Sequence, residues 1–262
     1  MTPHTLLNHL DQGRFWPAPC GLSLDEAYAQ ALAVRQLRIA RGEQTRGYKV
    51  GFTNRSIWPR YNVFAPIWGS VWDSTLTLCE GEGSVSLALT CQPRLEPEVV
   101  FGLKATPAPD ATLDDLFAAI DWVAPGFEVV QSHLPDWKFL PPDTVADGGL
   151  HARLLVGSRT PVHELASSAA ALDELLAQAR VSLLKNGAVV EEGQGSNVLD
   201  SPLRALLHFA QTLRACPGAP DLQAGDVVTT GTWTDAWAVA PGEHWAARFS
   251  SPLPDLAVTF TA

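Results

Sequence analysis

Basic residues are scarce in this 262-residue chain: 18 Lys and Arg stand against 28 Asp and Glu, a formal net charge of −10. That balance argues against a nucleic-acid binder, which displays a basic face. The four cysteines, Cys20, Cys79, Cys91 and Cys216, form no C-x-x-C pair and no metal-like cluster, so reduced structural thiols are expected. No apolar run is long enough to span a bilayer, and the start MTPHTLLNHLDQGRF lacks a basic stretch followed by an apolar core. A cytoplasmic protein without membrane contact is the expectation. Dinucleotide and phosphate-loop signatures are missing, because Gly193 and Gly195 do not complete a G-x-G-x-x-G. There is no G-x-S-x-G elbow and the histidines are scattered, so Ser-His-Asp chemistry has no support. Internal repeats and low-complexity segments are also lacking.

What remains is an ordered globular chain, with 46% hydrophobic and 18% charged residues. An acidic enzyme that handles an anion needs a local positive centre, which a metal or placed lysines can supply. Ser23-Leu24-Asp25-Glu26 has capping-box form, and the helical spacing after it runs to Gly42. The spacing predicts an N-terminal helical region over 1–46 and a catalytic domain over 47–262. From GYKVGF onward the chain changes to short β-branched runs, predicting strands at 47–52, 84–90, 94–103, 126–131, 153–157, 180–191, 226–231, 236–240, 244–249 and 255–261. Asn186-Gly187 marks a hairpin inside the sixth run. Helices are predicted over 112–123, 162–179 and 202–215. Hairpins and irregular helices do not alternate as in a doubly wound sheet, so a mixed or antiparallel α+β architecture is expected.

In the segment RLEPEVVF, Glu96 and Glu98 are two residues apart, which in a strand aims both carboxylates the same way. Their repulsion must be met by solvent, a raised pKa, a basic partner or a cation. The solvent face of an edge strand, with Pro97 as an edge residue, also fits the pair. Glu128, in PGFEVVQS, could bring a third carboxylate from a neighbouring strand. Three carboxylates in one pocket suit a hard ion such as Mg²⁺ or Mn²⁺ better than zinc, since these segments supply no Cys or His. Lys49, between glycines in GYKVGF, can orient a substrate carboxylate or relay a proton, or can guard a sheet edge. Asp73 is a further candidate acid or base. The loop SHLPDWKFLPPDTVADGG adds Asp136, Lys138, Asp143 and Asp147. Thr229-Thr230-Gly231-Thr232 ends a strand in a turn whose hydroxyls and N–H groups could meet a carboxylate, or could serve the turn alone. The tryptophans, among them Trp58, Trp68, Trp72 and Trp233, read as core and pocket wall.

In this order, GYKVGFT, PRLEPEVVFGL, DWVAPGFEVVQSHLPDWKF, DTVAD, NGAVVEEGQGSNVLDSPLRAL and LQAGDVVTTGT resemble the 2-keto-4-pentenoate hydratase and 4-oxalocrotonate decarboxylase family of the fumarylacetoacetase superfamily. The resemblance covers most of the chain. It implies a mixed β-sheet roll with an N-terminal helical region, homo-oligomeric assembly and a place in the catabolism of aromatic compounds. It also implies a divalent metal held by Glu96, Glu98 and Glu128, catalytic lysines at Lys49 and Lys138, and a substrate-binding turn at Thr230, Gly231 and Thr232. The implied reaction is hydration of an unsaturated 2-oxo acid to a 4-hydroxy-2-oxo acid. Its rivals are decarboxylation of a 2-oxo-3-enedioate, C–C hydrolysis of an acylpyruvate, or non-catalytic binding of a small acid. Two segments depart from the family. Gly148-Gly149-Leu150 replaces the usual Asn-Ala-Ser, removing polar groups expected to face substrate, and NRSIWPRYNVFAPIWGSVWD is unusually aromatic. Both suggest a wider or more aromatic pocket.

Overall fold

The computed structural model describes residues 1–262. Its helices are α1 (Pro3–Gln12), α2 (Leu24–Ala40), α3 (Trp58–Tyr61), α4 (Leu113–Ala119), α5 (Pro141–Ala146), α6 (Val162–Leu165), α7 (Ala169–Gln178) and α8 (Pro202–Ala215). Strands β1 (Thr45–Gly51), β2 (Ile67–Trp72), β3 (Leu76–Leu78), β4 (Glu82–Ser86), β5 (Arg94–Leu103), β6 (Ile120–Val130) and β7 (His151–Val156) fill the first part of the chain. They are followed by β8 (Thr160–Pro161), β9 (Arg180–Lys185), β10 (Ala188–Gln194), β11 (Val227–Thr229), β12 (Trp237–Ala238), β13 (His244–Phe249) and β14 (Leu256–Thr261). No helix is long and apolar enough to cross a membrane.

Two mixed sheets result, giving the mixed α+β architecture that the sequence predicts and the roll that the family resemblance implies. One runs β2-β1-β11-β5-β6-β7-β3, with β12 added at β5 and β8 at β6; the other runs β10-β9-β13-β14-β4. They share a core, in which Leu95, Val99 and Phe101 of β5 and Phe127 and Val129 of β6 meet Trp245, Leu256 and Val258. Helices α4, α7 and α8 close that core through Leu116, Leu172, Leu176, Leu206 and Phe209. Because side chains alternate along a strand, the even-numbered residues of β5 and β6 are turned to the other face of the first sheet. There α1, α2 and α5 build a second apolar cluster with Phe52, Trp137 and Phe139.

The local signals act as chemistry requires. Ser23 and Glu26 form a reciprocal capping box at α2, and Ser201 caps α8 with Pro202 in its first turn. Asn186 and Gly187 both take positive φ, 49° and 85°, as a two-residue hairpin demands. Three differences stand out. The helix predicted over 112–123 ends at Ala119, where β-branched and aromatic residues begin the long strand β6. The helix predicted over 162–179 breaks after Leu165 and restarts with Ser168 as its cap. Strand β2 lies in the tryptophan-rich segment and the short β3 just after it, neither of which the sequence marks as strand.

Candidate metal centre and pocket

Strand alternation brings the predicted carboxylates together. Glu96 and Glu98 share the face of β5 opposite the core, and Glu128 lies directly across from Glu96 on β6. One oxygen from each of the three lies within 4.8 Å of the others. Glu98 and Glu128 are fully buried and Glu96 is half-buried.

Each buried carboxylate is tethered by one oxygen. Glu98 Oε2 accepts from the Thr229 hydroxyl and from the Gly231 N–H at 2.6 Å, while its Oε1 is buried with no hydrogen-bond partner. Glu128 Oε1 accepts from His151 Nδ1 at 2.9 Å. Its Oε2 lies 3.1 Å from Lys49 Nζ as an ion pair, but no donor is aligned on it for a hydrogen bond. Burial pushes the Glu96 carboxyl up to about 7, with Lys49 opposing the rise and Glu128 adding to it. Glu98 is raised well above the carboxylate range by burial, then by Glu128 and Glu96. Glu98 Oε1 has no partner, Glu128 Oε2 has only the Lys49 charge beside it, and the converging donors are all oxygen. The cluster therefore fits a hard divalent ion.

Lys49 lies on β1 and is 2% exposed. Burial disfavours its charge, but Glu128, Glu96 and Glu98 together outweigh that and hold its pKa above the ordinary value. Nζ also donates to the Gly149 carbonyl at 2.8 Å. The departure at Gly148-Gly149 explains that contact. Both glycines have positive φ, 65° and 73°, and a Cβ on Gly69 of β2 would lie 2.0 Å from the Gly148 carbonyl oxygen. Glycine on both sides lets this turn cross β2 closely enough to reach Lys49.

Other expected site residues are placed differently. Lys138 points to solvent, 80% exposed, with Nζ 3.3 Å from Asp136 Oδ2. Asp73 is exposed and accepts from the N–H groups of Gln44 and Ser74 in a turn. The structure brings neither to the carboxylates, because each side chain leaves its backbone on the solvent side. Gly231 commits its N–H to Glu98; its φ of 109° and the Thr53 hydroxyl 1.8 Å from a would-be Cβ require glycine. Thr232 lines the pocket beside Glu96 and Lys49, and the Thr230 hydroxyl is buried without a partner. Asp143 accepts from the Cys20 N–H at 2.6 Å, and Asp147 Oδ1 lies 2.6 Å from His133 Nδ1, so the acids of DTVAD hold the loop itself. His151 was missed. Its Nδ1–H holds Glu128 and its Nε2 lies 2.9 Å from Thr75 Oγ1, and its only sequence signal is its place beside the two glycines.

The fold and the cluster together define a class: mixed β-roll proteins with a three-carboxylate site suited to a divalent cation. The chain belongs to the fumarylacetoacetate (FAA) hydrolase C-terminal family, whose pattern matches residues 71–259. It is 34% identical over 225 residues to a 2-hydroxyhexa-2,4-dienoate hydratase of Comamonas testosteroni, covering 86% of this chain and 81% of that one. A 4-oxalocrotonate decarboxylase of Pseudomonas putida is 31% identical over 229 residues, covering 87% of this chain and 82% of the relative. The solved 4-oxalocrotonate decarboxylase from Pseudomonas putida G7, complexed with magnesium and adipate, superposes with a TM-score of 0.84 at 28% identity, covering 98% of this chain and 97% of that one.

Proposed function

We propose that the protein is a divalent-metal-dependent hydratase that adds water to a 2-hydroxy-2,4-dienoate or related unsaturated 2-oxo acid, giving a 4-hydroxy-2-oxo acid. The observation that carries this reading is the convergence of the Glu96, Glu98 and Glu128 carboxylates within 4.8 Å of one another, with Glu98 Oε1 buried and without a hydrogen-bond partner. The likeness to dienoate and pentenoate hydratases supports it. Glu96, Glu98 and Glu128 would hold Mg²⁺ or Mn²⁺, and such a cation supplies Lewis-acid stabilisation of negative charge developing on a substrate oxygen. Lys49 keeps its proton on Nζ beneath the three carboxylates, where it can meet a substrate carboxylate or pass that proton to the substrate. We assign to Lys49 the role that the sequence shared between Lys49 and Lys138. Thr230 and Thr232 offer hydroxyls to substrate, whereas Gly231 holds Glu98.

Decarboxylation is the second reading, favoured by the superposition on a decarboxylase, because the same charge stabilisation would support loss of carbon dioxide. With purified protein and a 2-hydroxydienoic acid, the ultraviolet absorbance of the conjugated acid should decay only when Mg²⁺ or Mn²⁺ is present. Glu96→Ala should abolish the decay. Release of carbon dioxide would favour the decarboxylase, and failure to bind any divalent cation would refute both readings.

A further inference from the structure

We propose that the outer end of the pocket selects acids whose carbon chain ends in an uncharged apolar group over acids that end in a second carboxylate. The inference rests on the metal-site reading above, and it names the substrate class that site takes. Moving outward from Glu96 and Lys49, the wall is made by Phe52, Tyr61, Trp137, Phe139 and Leu150. Tyr61 and Phe139 are stacked with centroids 5.5 Å apart, and Phe52 stands edge-on to both at 5.8 and 6.2 Å. Ring faces carry the negative side of the aromatic quadrupole, so they receive hydrocarbon well and a carboxylate badly.

No cation is offered to a second carboxylate at this end. Lys49 sits at the inner end, held between Glu128 and the Gly149 carbonyl. The Arg94 guanidinium lies 4.3 Å from the Trp137 ring centroid and donates to the Tyr61 hydroxyl at 3.2 Å, so it backs the aromatic wall. Arg60 is ion-paired at 3.0 Å with Asp235, and Asp235 itself lines the pocket with a negative charge. On the opposite wall, the Thr53 hydroxyl donates to the Thr230 carbonyl and the Thr234 hydroxyl to the Asp235 carbonyl. A second carboxylate would lose its water against this aromatic wall and meet the Asp235 carboxylate in place of a counter-charge. An alkyl or aryl tail would displace water from apolar surface and gain by it.

The test is calorimetric binding of a matched pair, 2-oxohexanoate and 2-oxohexanedioate, to the Mg²⁺-loaded protein. The two acids share the metal-binding end and differ only at the far terminus. The methyl-terminated acid should bind at least about tenfold more tightly, the scale on which apolar pockets discriminate. Phe139→Ala, and separately Leu150→Ser, should shrink that preference while leaving Mg²⁺ affinity unchanged. Equal or tighter binding of the dioic acid overturns the inference, as does failure of both acids to bind. A preference that survives in both variants overturns the assignment of the wall. Selective binding without turnover of any dienoic acid would refute the hydratase reading alone, so the two failures are distinguishable.

Discussion

At the scale of single residues, the centre is a balance of buried charge. Three carboxylates converge beside one lysine, and the Lys49 charge offsets their mutual repulsion. Lys49→Met should therefore cost about 3–5 kcal/mol in the metal-free protein, as removal of one partner of a buried ion pair does. Urea unfolding checks this, and added Mg²⁺ should restore part of the loss. The raised Glu96 pKa sets a pH dependence of definite sign. Between its ordinary 4.5 and the folded value of about 7, the folded chain holds a proton that the unfolded chain has released. The stability this group contributes is present below that window and is lost as pH rises through it. Metal takes the place of the proton, so the rise in melting temperature on adding Mg²⁺ should grow across the same window. A metal-induced shift that stays flat with pH would contradict the charge balance. At this scale much was legible: Glu96, Glu98, Glu128 and Lys49 all meet, because alternation along a strand is a local rule. The burial of His151 was not, since a histidine's surroundings depend on strands far away in sequence.

At the scale of elements, the site depends on five adjacent strands, β1, β11, β5, β6 and β7, and on one glycine turn laid across β2. Gly69→Ala would drive a Cβ into the Gly148 carbonyl, displacing the turn that holds Lys49. We expect a loss of about 2–3 kcal/mol, in the range of strained backbone positions, with a fall in turnover larger than the fall in metal affinity. A variant that unfolds no sooner and turns over normally would show that the turn does not matter. Elements with strong local signals were legible: β5 and α8 occupy 94–103 and 202–215 as predicted. Those that failed had competing signals. β2 is written in Ile, Trp and Gly between turn residues, and the Ala- and Ser-rich stretch between α6 and α7 hides a break that only Ser168 marks.

At the scale of the whole molecule, the N-terminal helices are tied into the site's surroundings. Leu6, Leu7, Trp16 and Ala27 pack with Phe52, Trp137 and Phe139, and the Cys20 N–H is held by Asp143 of α5. The sequence divides the chain at 46/47, and we propose that this boundary separates regions that do not fold apart. A chain beginning at residue 47 should expose the apolar backs of α5 and the aromatic wall and aggregate, which size-exclusion chromatography would show. Recovery of a folded, metal-binding fragment would sink that proposal. The facing of Glu96 and Glu128 across β5 and β6 has a consequence beyond chemistry. If β5 paired one residue out of step, every side chain on it would change faces. Glu96 and Glu98 would then enter the apolar interior, while Leu95, Val99 and Phe101 would be turned out. The acids that serve the site thus also guard against mispairing, so their replacement by neutral residues should leave more of the newly made chain trapped in wrong alignments.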